Sequence, residues 1–285
     1  MATAAPAGSP NSQVMPNQFI LEICVESVDH AIAAERGGAD RLELCSDLPS
    51  GGITPSAELM QAARRQVNIP IHVLIRPRAG DFCYSDDEFE IMRREIVAAK
   101  QFGMNGIVLG VLRGNEHVDI ERTRSLVEAA SPLPVTFHRA IDTTRNLEES
   151  LEDVIRTGAS RILTSGGQPS ATQGLSALAS LVQAARGRIL IMACGAINAD
   201  NVADIARTTR AREFHTSVGT SHPRSEDTSS HQPYGNDAVD FSLPAEAFEE
   251  RVRSLVNILG SLTDSSPVKA QPTAAEPPRN KGPKA

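Results

Sequence analysis

The sequence has no surplus of positive charge. Its 28 lysines and arginines are outnumbered by 35 aspartates and glutamates, which gives a formal net charge of −7. A protein that coats nucleic acid or an anionic membrane surface needs the opposite balance. We therefore expect neither nucleic acid nor a membrane as a partner.

Long hydrophobic runs are also missing. The apolar run within 188–196 is far shorter than the roughly 20 residues that a membrane-spanning helix needs. Residues 1–18 contain no lysine or arginine and no continuous apolar stretch, so they lack the features of a secretory signal or a mitochondrial presequence. These absences predict a cytoplasmic protein, with the nucleus as a second possible compartment.

Cysteine is scarce and several catalytic motifs are absent. The four cysteines, at 24, 45, 83 and 194, lie far apart, which indicates reduced thiols rather than a disulfide framework. The sequence has neither a CxxC motif nor a methionine-rich segment. It also lacks the GxSxG pattern of a nucleophile elbow, so a hydrolase triad of that kind has little support.

Proline marks the ends of the folded region. Residues 1–18 carry three prolines and no charge, and residues 261–285 carry five more with almost no aliphatic side chains. Both ends are predicted to be disordered tails around one domain at 19–260. The polar stretch 220–240 is too long for an ordinary connection, so we expect a mobile or functional loop there.

Between the tails, short β-branched apolar runs alternate with helical patterns, which predicts eight βα units. The predicted strands are Phe19–Val25, Arg41–Cys45, Ile71–Arg76, Gly106–Val111, Val135–His138, Arg161–Ser165, Ile189–Ala193 and Glu213–Ser217. Eight units favour an α/β fold of the closed (βα)8 TIM type. The alternative, a doubly wound open sheet, would more usually have five to seven strands and a GxGxxG turn, which is absent after strand one.

Capping residues place the helix ends. Ser85 with Glu88 forms a capping box, Thr54 before Pro55 is typical of a helix start, and Asn198 is expected to open the seventh helix. Glycines are expected to close three helices, at Gly37, Gly103 and Gly158.

The strands predict a polar barrel interior. In strand one Leu21, Ile23 and Val25 take the face toward the helices, which leaves Glu22 and Cys24 pointing inward. The same alternation places these side chains inside: Arg41, Glu43, Cys45, His72, Arg76, Thr136, His138, Glu213, His215 and Ser217.

Two interpretations of this interior stay open. Buried charges are tolerated only when paired, so the residues form either a structural ion-pair layer or a functional site. In such a layer, the carboxylates would balance the arginines and a histidine would add hydrogen bonds. The carboxylates are Glu22, Glu43 and Glu213, the arginines are Arg41 and Arg76, and the histidine is His72. Active sites of barrels lie at the carboxyl ends of the strands, which favours function for Cys24, Cys45, Arg76, Arg78, Asp81, His138, Arg139 and Asp142.

Several uncommon sequence words occur in order from about 19 to 219. They are LEICVESVDHAIAAERGGADRLELCS, GGITPS, IPIHVLIRPRAGDFCYSDDEFEIM, PLPVTFHRAID and RILTSGG. They resemble the CutC family, which is named for copper homeostasis. The resemblance implies a (βα)8 barrel, a cytosolic or nucleocytoplasmic location, a homo-oligomer and a link to copper tolerance.

In the family, the copper proposal rests on two cysteines at the ends of the first two strands, which match Cys24 and Cys45. Cu(I) is a soft ion that favours thiolates, and two of them can hold it in a near-linear site. The alternative is that both cysteines pack as small buried hydrophobes. The chain departs from the family pattern at Ala79, at Cys194 and in the 220–240 loop. Cys194 could be a third soft ligand.

A second functional hypothesis is an enzyme that acts on a small anionic metabolite, because the interior carries carboxylates, histidines and arginines. Arg76 and Arg78 would bind a carboxylate or phosphate, His138 or Glu43 would move the proton, and Asp142 or Asp81 would orient the base. The amides of Gly166, Gly167 and Gly195 would cradle a phosphate.

Overall fold

A computed structural model of the chain describes residues 19–218, 220–223, 237–240 and 243–262. Eight parallel strands close into a barrel in sequence order, with the last strand paired to the first. The strands are β1 Ile20–Val25, β2 Arg41–Leu44, β3 Ile71–Leu74, β4 Gly106–Leu109, β5 Val135–Phe137, β6 Arg161–Thr164, β7 Leu190–Ala193 and β8 Glu213–Thr216.

A helix follows each barrel strand, which confirms the predicted (βα)8 fold. The helices are α1 Val28–Gly37, α2 Ala57–Gln66, α3 Asp86–Gln101, α4 Ile120–Ala130, α5 Leu147–Thr157, α6 Leu175–Ala185, α7 Val202–Thr209 and α8 Ala245–Ser261. Short 3-10 turns occur at Leu48–Ser50 and Arg139–Thr143. Within the described ranges, no helix combines the length and apolar character that crossing a bilayer requires.

Two predicted helix starts are wrong. Helix α2 begins after Ser56, whose hydroxyl accepts from Leu59 N at 3.2 Å. The Thr54 hydroxyl instead accepts from Arg76 N and donates to a carboxylate on α3, both at 2.8 Å. Helix α7 begins at Val202, later than expected, because the residues from 198 onward form a turn that leads into it.

Other boundary signals are confirmed. The Ser85 hydroxyl and the Glu88 side chain form the capping box of α3. Gly158 ends α5 in the left-handed conformation, with a φ of 85°. Several strands end one or two residues before the predicted position, since the chain turns away from the ladder there.

The alternation of faces along the strands is also confirmed. Leu21, Ile23 and Val25 pack in the large apolar core between the barrel and its helices. Two small separate clusters belong to the other face. One contains Cys24, Cys45, Leu74 and Val108, and the other contains Leu163, Met192 and Cys194.

The predicted tails at 1–18 and 261–285 lie outside the described residues, except for Ser261, which ends α8, and Leu262, which caps it. In the predicted 220–240 loop, β9 Thr220–Pro223 pairs antiparallel with β10 Asp237–Asp240. The residues between these two strands lie outside the described ranges.

Candidate metal centre

Cys24 and Cys45 bring two buried thiols together at the carboxyl end of the barrel. Cys24 lies in β1, and Cys45 follows β2, where its N–H donates to Val25 O at 3.1 Å. The two Sγ atoms are 3.3 Å apart, and the residues are 4% and 0% exposed. The ladder between β1 and β2 therefore places the two cysteines on neighbouring strands, side by side.

The environment keeps both thiols protonated. The contact with Cys45 and burial raise the pKa of Cys24 well above its ordinary value. At Cys45 the contact with Cys24 lowers the pKa, but burial and the Glu43 carboxylate outweigh it and leave the pKa raised. An ion that binds both sulfurs must therefore displace these protons.

A histidine and a carboxylate adjoin Cys24. The ligand atoms of Cys24, Glu43 and His215 all lie within 4.8 Å of one another, and His215 Nε2 is 3.4 Å from Glu43 Oε2. Burial, together with the charge of Glu22, raises the pKa of Glu43 to about 7. Burial lowers the pKa of His215, but its hydrogen bonds to Cys24 and Glu22 raise it more, so it lies well above the ordinary value.

Glu22 connects this group to an ion-pair layer deeper in the barrel. Its carboxylate accepts from Arg41 Nε and lies 2.8 Å from His215 Nδ1. Burial opposes ionisation of Glu22, but the charge of Arg41 and the contacts with His215 hold its pKa well below the usual range. Glu213 accepts from Arg41 at 2.7 Å and from Arg161 at 3.1 Å. The residues of this layer thus pair, as buried charges require.

The composition of the layer differs from the prediction in one arginine. Arg161, not Arg76, is the second arginine on Glu213. The sequence carried the signal for this, because the alternation along strand six also places Arg161 inside. The sequence places His215 inside the barrel but does not assign it to the metal site, since its distance from Cys24 depends on how β8 closes against β1.

The side chains of Arg76 and Arg78 donate hydrogen bonds to neighbouring loops and side chains of the protein. Arg76 is 1% exposed, and its terminal nitrogens donate to the carbonyls of Ser50, Gly52 and Gly80. Arg78 donates to Glu88 at 2.6 Å, to Asp81 at 3.0 Å and to a backbone carbonyl at 2.9 Å. Donors that the sequence assigned to an anionic ligand are therefore engaged with the protein itself.

The predicted phosphate cradle encloses a carboxylate of the chain. Asp142 Oδ1 accepts from Gly167 N at 3.0 Å, and Asp142 Oδ2 accepts from the Ser165 hydroxyl at 3.0 Å. Gly166 N donates to the Thr164 hydroxyl at 2.9 Å. The Asp142 side chain is 2% exposed and also pairs with an arginine, at 2.9 Å. The Gly167 amide thus stabilises the Asp142 carboxylate, while that of Gly166 binds the neighbouring hydroxyl.

The remaining predicted residues make other contacts. His138 Nδ1 accepts from Ala140 N at 3.1 Å, and its ring packs 4.9 Å from that of Phe82. The Gly195 carbonyl accepts from Ala171 N at 2.9 Å. Cys194, the suggested third soft ligand, packs with Leu163 and Met192. The structure thus brings Cys24, Cys45 and Glu43 together and places His138 on Phe82.

Comparison with known proteins identifies the family. The sequence model of the CutC family matches residues 19–220. The chain belongs to the CutC family. A copper homeostasis protein cutC homolog of Homo sapiens is 47% identical over 202 residues, which cover 71% of this chain and 74% of the human protein. A family protein CutC of Vibrio campbellii is 46% identical over 234 residues, 79% of this chain and 92% of that protein.

Solved structures agree with this assignment. The crystal structure of a CutC protein from Streptococcus agalactiae matches with a TM-score of 0.67 and 31% identity, covering 70% of this chain and 99% of the other. A thiamine phosphate pyrophosphorylase from Pyrococcus furiosus matches with a TM-score of 0.54 at 14% identity. The second likeness shows the barrel fold that this CutC protein shares with enzymes.

Proposed function

We propose that this CutC protein acts in copper homeostasis and binds Cu(I) through the thiolates of Cys24 and Cys45. The observation that carries the proposal is the distance of 3.3 Å between two buried sulfurs at the carboxyl end of the barrel. Cu(I) is a soft ion that prefers thiolate ligands. The name of the human relative, a copper homeostasis protein, supports the same function.

The surroundings suit a bound ion better than a substrate molecule. Cys24 and Cys45 pack with Leu74 and Val108, and all four residues are at most 5% exposed. Apolar walls exclude water from the two sulfurs, and a buried site of this size suits a single ion.

The geometry does not favour the anionic metabolite of the second hypothesis. The Arg76 nitrogens donate to backbone carbonyls, and the Gly167 amide donates to Asp142. A ligand phosphate would have to displace these internal acceptors. The cytoplasmic location, the nuclear alternative and the homo-oligomeric state stay predictions from the sequence and the resemblance.

The test is an anaerobic titration of Cu(I) against a chelator of known affinity. Wild-type protein is compared with Cys24→Ser, Cys45→Ser and the double variant. The matched control is Cys194→Ser, since Cys194 is as buried as the two proposed ligands but packs in the other interior cluster.

We expect one Cu(I) per chain in the wild type and in Cys194→Ser, and no competitive binding in the double variant. Undiminished binding by the double variant would contradict the proposal. Loss of binding in Cys194→Ser would move the site to the other cluster, and weak binding by the wild type would exclude copper handling at these thiols.

A further inference from the structure

The spacing of the two sulfurs is too short for an ion held in line between them. A metal–sulfur bond of about 2.3 Å would place two collinear sulfurs about 4.6 Å apart. Cys24 Sγ and Cys45 Sγ are 3.3 Å apart, on neighbouring strands whose ladder fixes their backbones. An ion bonded to both sulfurs at this spacing lies to one side of the line that joins them. A bent pair leaves room for another ligand.

His215 is placed to be that ligand. It lies in β8, which pairs with β1 so that His215 stands opposite Glu22, two residues before Cys24. A ring nitrogen of His215 lies in the same group of ligand atoms as Cys24 Sγ and a Glu43 oxygen, all within 4.8 Å, and Nε2 is 3.4 Å from Glu43 Oε2. Imidazole nitrogen is a common ligand for copper beside thiolates.

The other nitrogen of the ring is held by Glu22. His215 Nδ1 is 2.8 Å from Glu22 Oε1, and the same carboxylate accepts from Arg41. An ionised carboxylate only accepts hydrogen bonds, so Nδ1 carries the proton and donates. Nε2 is then the nitrogen that faces Glu43, at 3.4 Å, and an ion that binds there displaces its proton, as it does at the two thiols. Metal-binding histidines are oriented in the same way, by a carboxylate on the ring nitrogen that does not bind the metal.

We propose that His215 is the third ligand of the copper site, which is a three-coordinate site of two thiolates and one imidazole positioned by Glu22. This inference rests on the proposed Cu(I) function and adds to it the coordination number and a ligand. Glu43 lies 3.4 Å from Nε2. It remains outside the Cu(I) ligand set, because carboxylates are hard ligands.

The test uses His215→Asn, in which the side-chain amide takes the position of Nδ1 and can still donate to Glu22, while Nε2 is removed. The matched control is His72→Asn. His72 is also a buried histidine of the barrel, and its Nδ1 is 3.9 Å from Glu22 without a hydrogen bond. Chelator competition measures Cu(I) affinity, and X-ray absorption at the copper edge measures the number and type of ligands.

We expect His215→Asn to weaken Cu(I) binding at least about tenfold, with one ion still bound, and His72→Asn to bind like the wild type. The wild-type spectrum should show two sulfurs and one nitrogen, and the variant should lose the nitrogen.

Unchanged affinity and a spectrum with sulfur ligands alone in the wild type would overturn the role of His215 and leave the thiolate site intact. Wild-type protein that binds no Cu(I) would overturn both proposals. If His215→Asn does not fold, as judged by circular dichroism, the wild-type spectrum decides the question, because the absence of a nitrogen ligand there contradicts the inference.

Discussion

His72 of β3 occupies the space that Gly106 of β4 leaves open inside the barrel. The two residues are paired across the ladder, and a Cβ on Gly106 would lie 2.4 Å from the His72 ring. A second glycine and histidine are placed in the same way, since a Cβ on Gly110 would lie 2.5 Å from the ring of His138. Glycines at these two positions thus make room for two buried histidines.

Gly106→Ala is therefore expected to destabilise the fold by about 1–3 kcal/mol, the usual cost of overpacking a close-packed interior. Urea denaturation measures the effect. Gly114→Ala is the control, because a Cβ at Gly114 would meet nothing within 4 Å. Equal midpoints for the two variants would show that His72 moves aside at no cost.

Glu213→Gln tests the ion-pair layer. Glu213 accepts from both Arg41 and Arg161, and all three residues are at most 7% exposed. Removing the carboxylate leaves buried charge uncompensated, which costs about 3–5 kcal/mol. Glu152→Gln removes an exposed partner of Arg188 and should remain near wild-type stability. If Glu213→Gln and Glu152→Gln unfold at the same urea concentration, the ion-pair layer does not stabilise the fold.

Acid should destabilise the protein through its buried histidines. Burial lowers the pKa of His138 to about 3 and that of His72 to about 4, whereas an unfolded histidine has a pKa of about 6.5. Below pH 6.5 these two histidines therefore bind protons in the unfolded chain but not in the native protein, and their contribution to stability falls as the pH drops toward 4, whereas Glu43, with a raised pKa of about 7, opposes this change by one proton. Each histidine contributes a slope approaching about 1.4 kcal/mol per pH unit.

The measurement is the free energy of unfolding between pH 7 and pH 5. His138→Asn, whose side-chain oxygen can still accept from Ala140 N, should show a shallower pH dependence than the wild type. A dependence as steep as that of the wild type would mean that His138 is not kept neutral by the fold.

The four cysteines should differ in their reactivity. All four have raised pKa values, but Cys83 is partly exposed, while Cys24, Cys45 and Cys194 are buried. Thiolate fraction and access control alkylation. Intact mass after treatment with iodoacetamide should show one label per native chain, and Cys83→Ser should show none. Rapid labelling of two or more cysteines in native Cys83→Ser protein would contradict the burial of the thiol pair.

Sequence patterns predict the fold of this chain better than its site. Eight β-branched runs specify the barrel, and period-two alternation places Glu22 and Cys24 inside. The roles of Arg76 and Asp142 could not be read in this way, since their partners come from loops distant in sequence, such as Gly52 and Gly167. His215 joins Cys24 only because the barrel closes, a long-range contact that no local pattern encodes.

The most direct test of the copper site is a crystal structure of the protein grown anaerobically with Cu(I), with anomalous diffraction recorded at the copper edge. We expect one anomalous peak per chain about 2.3 Å from both Cys24 Sγ and Cys45 Sγ, on the side of the pair that faces His215. A copper peak at other residues, or no peak at these sulfurs in crystals saturated with Cu(I), would contradict the proposed function.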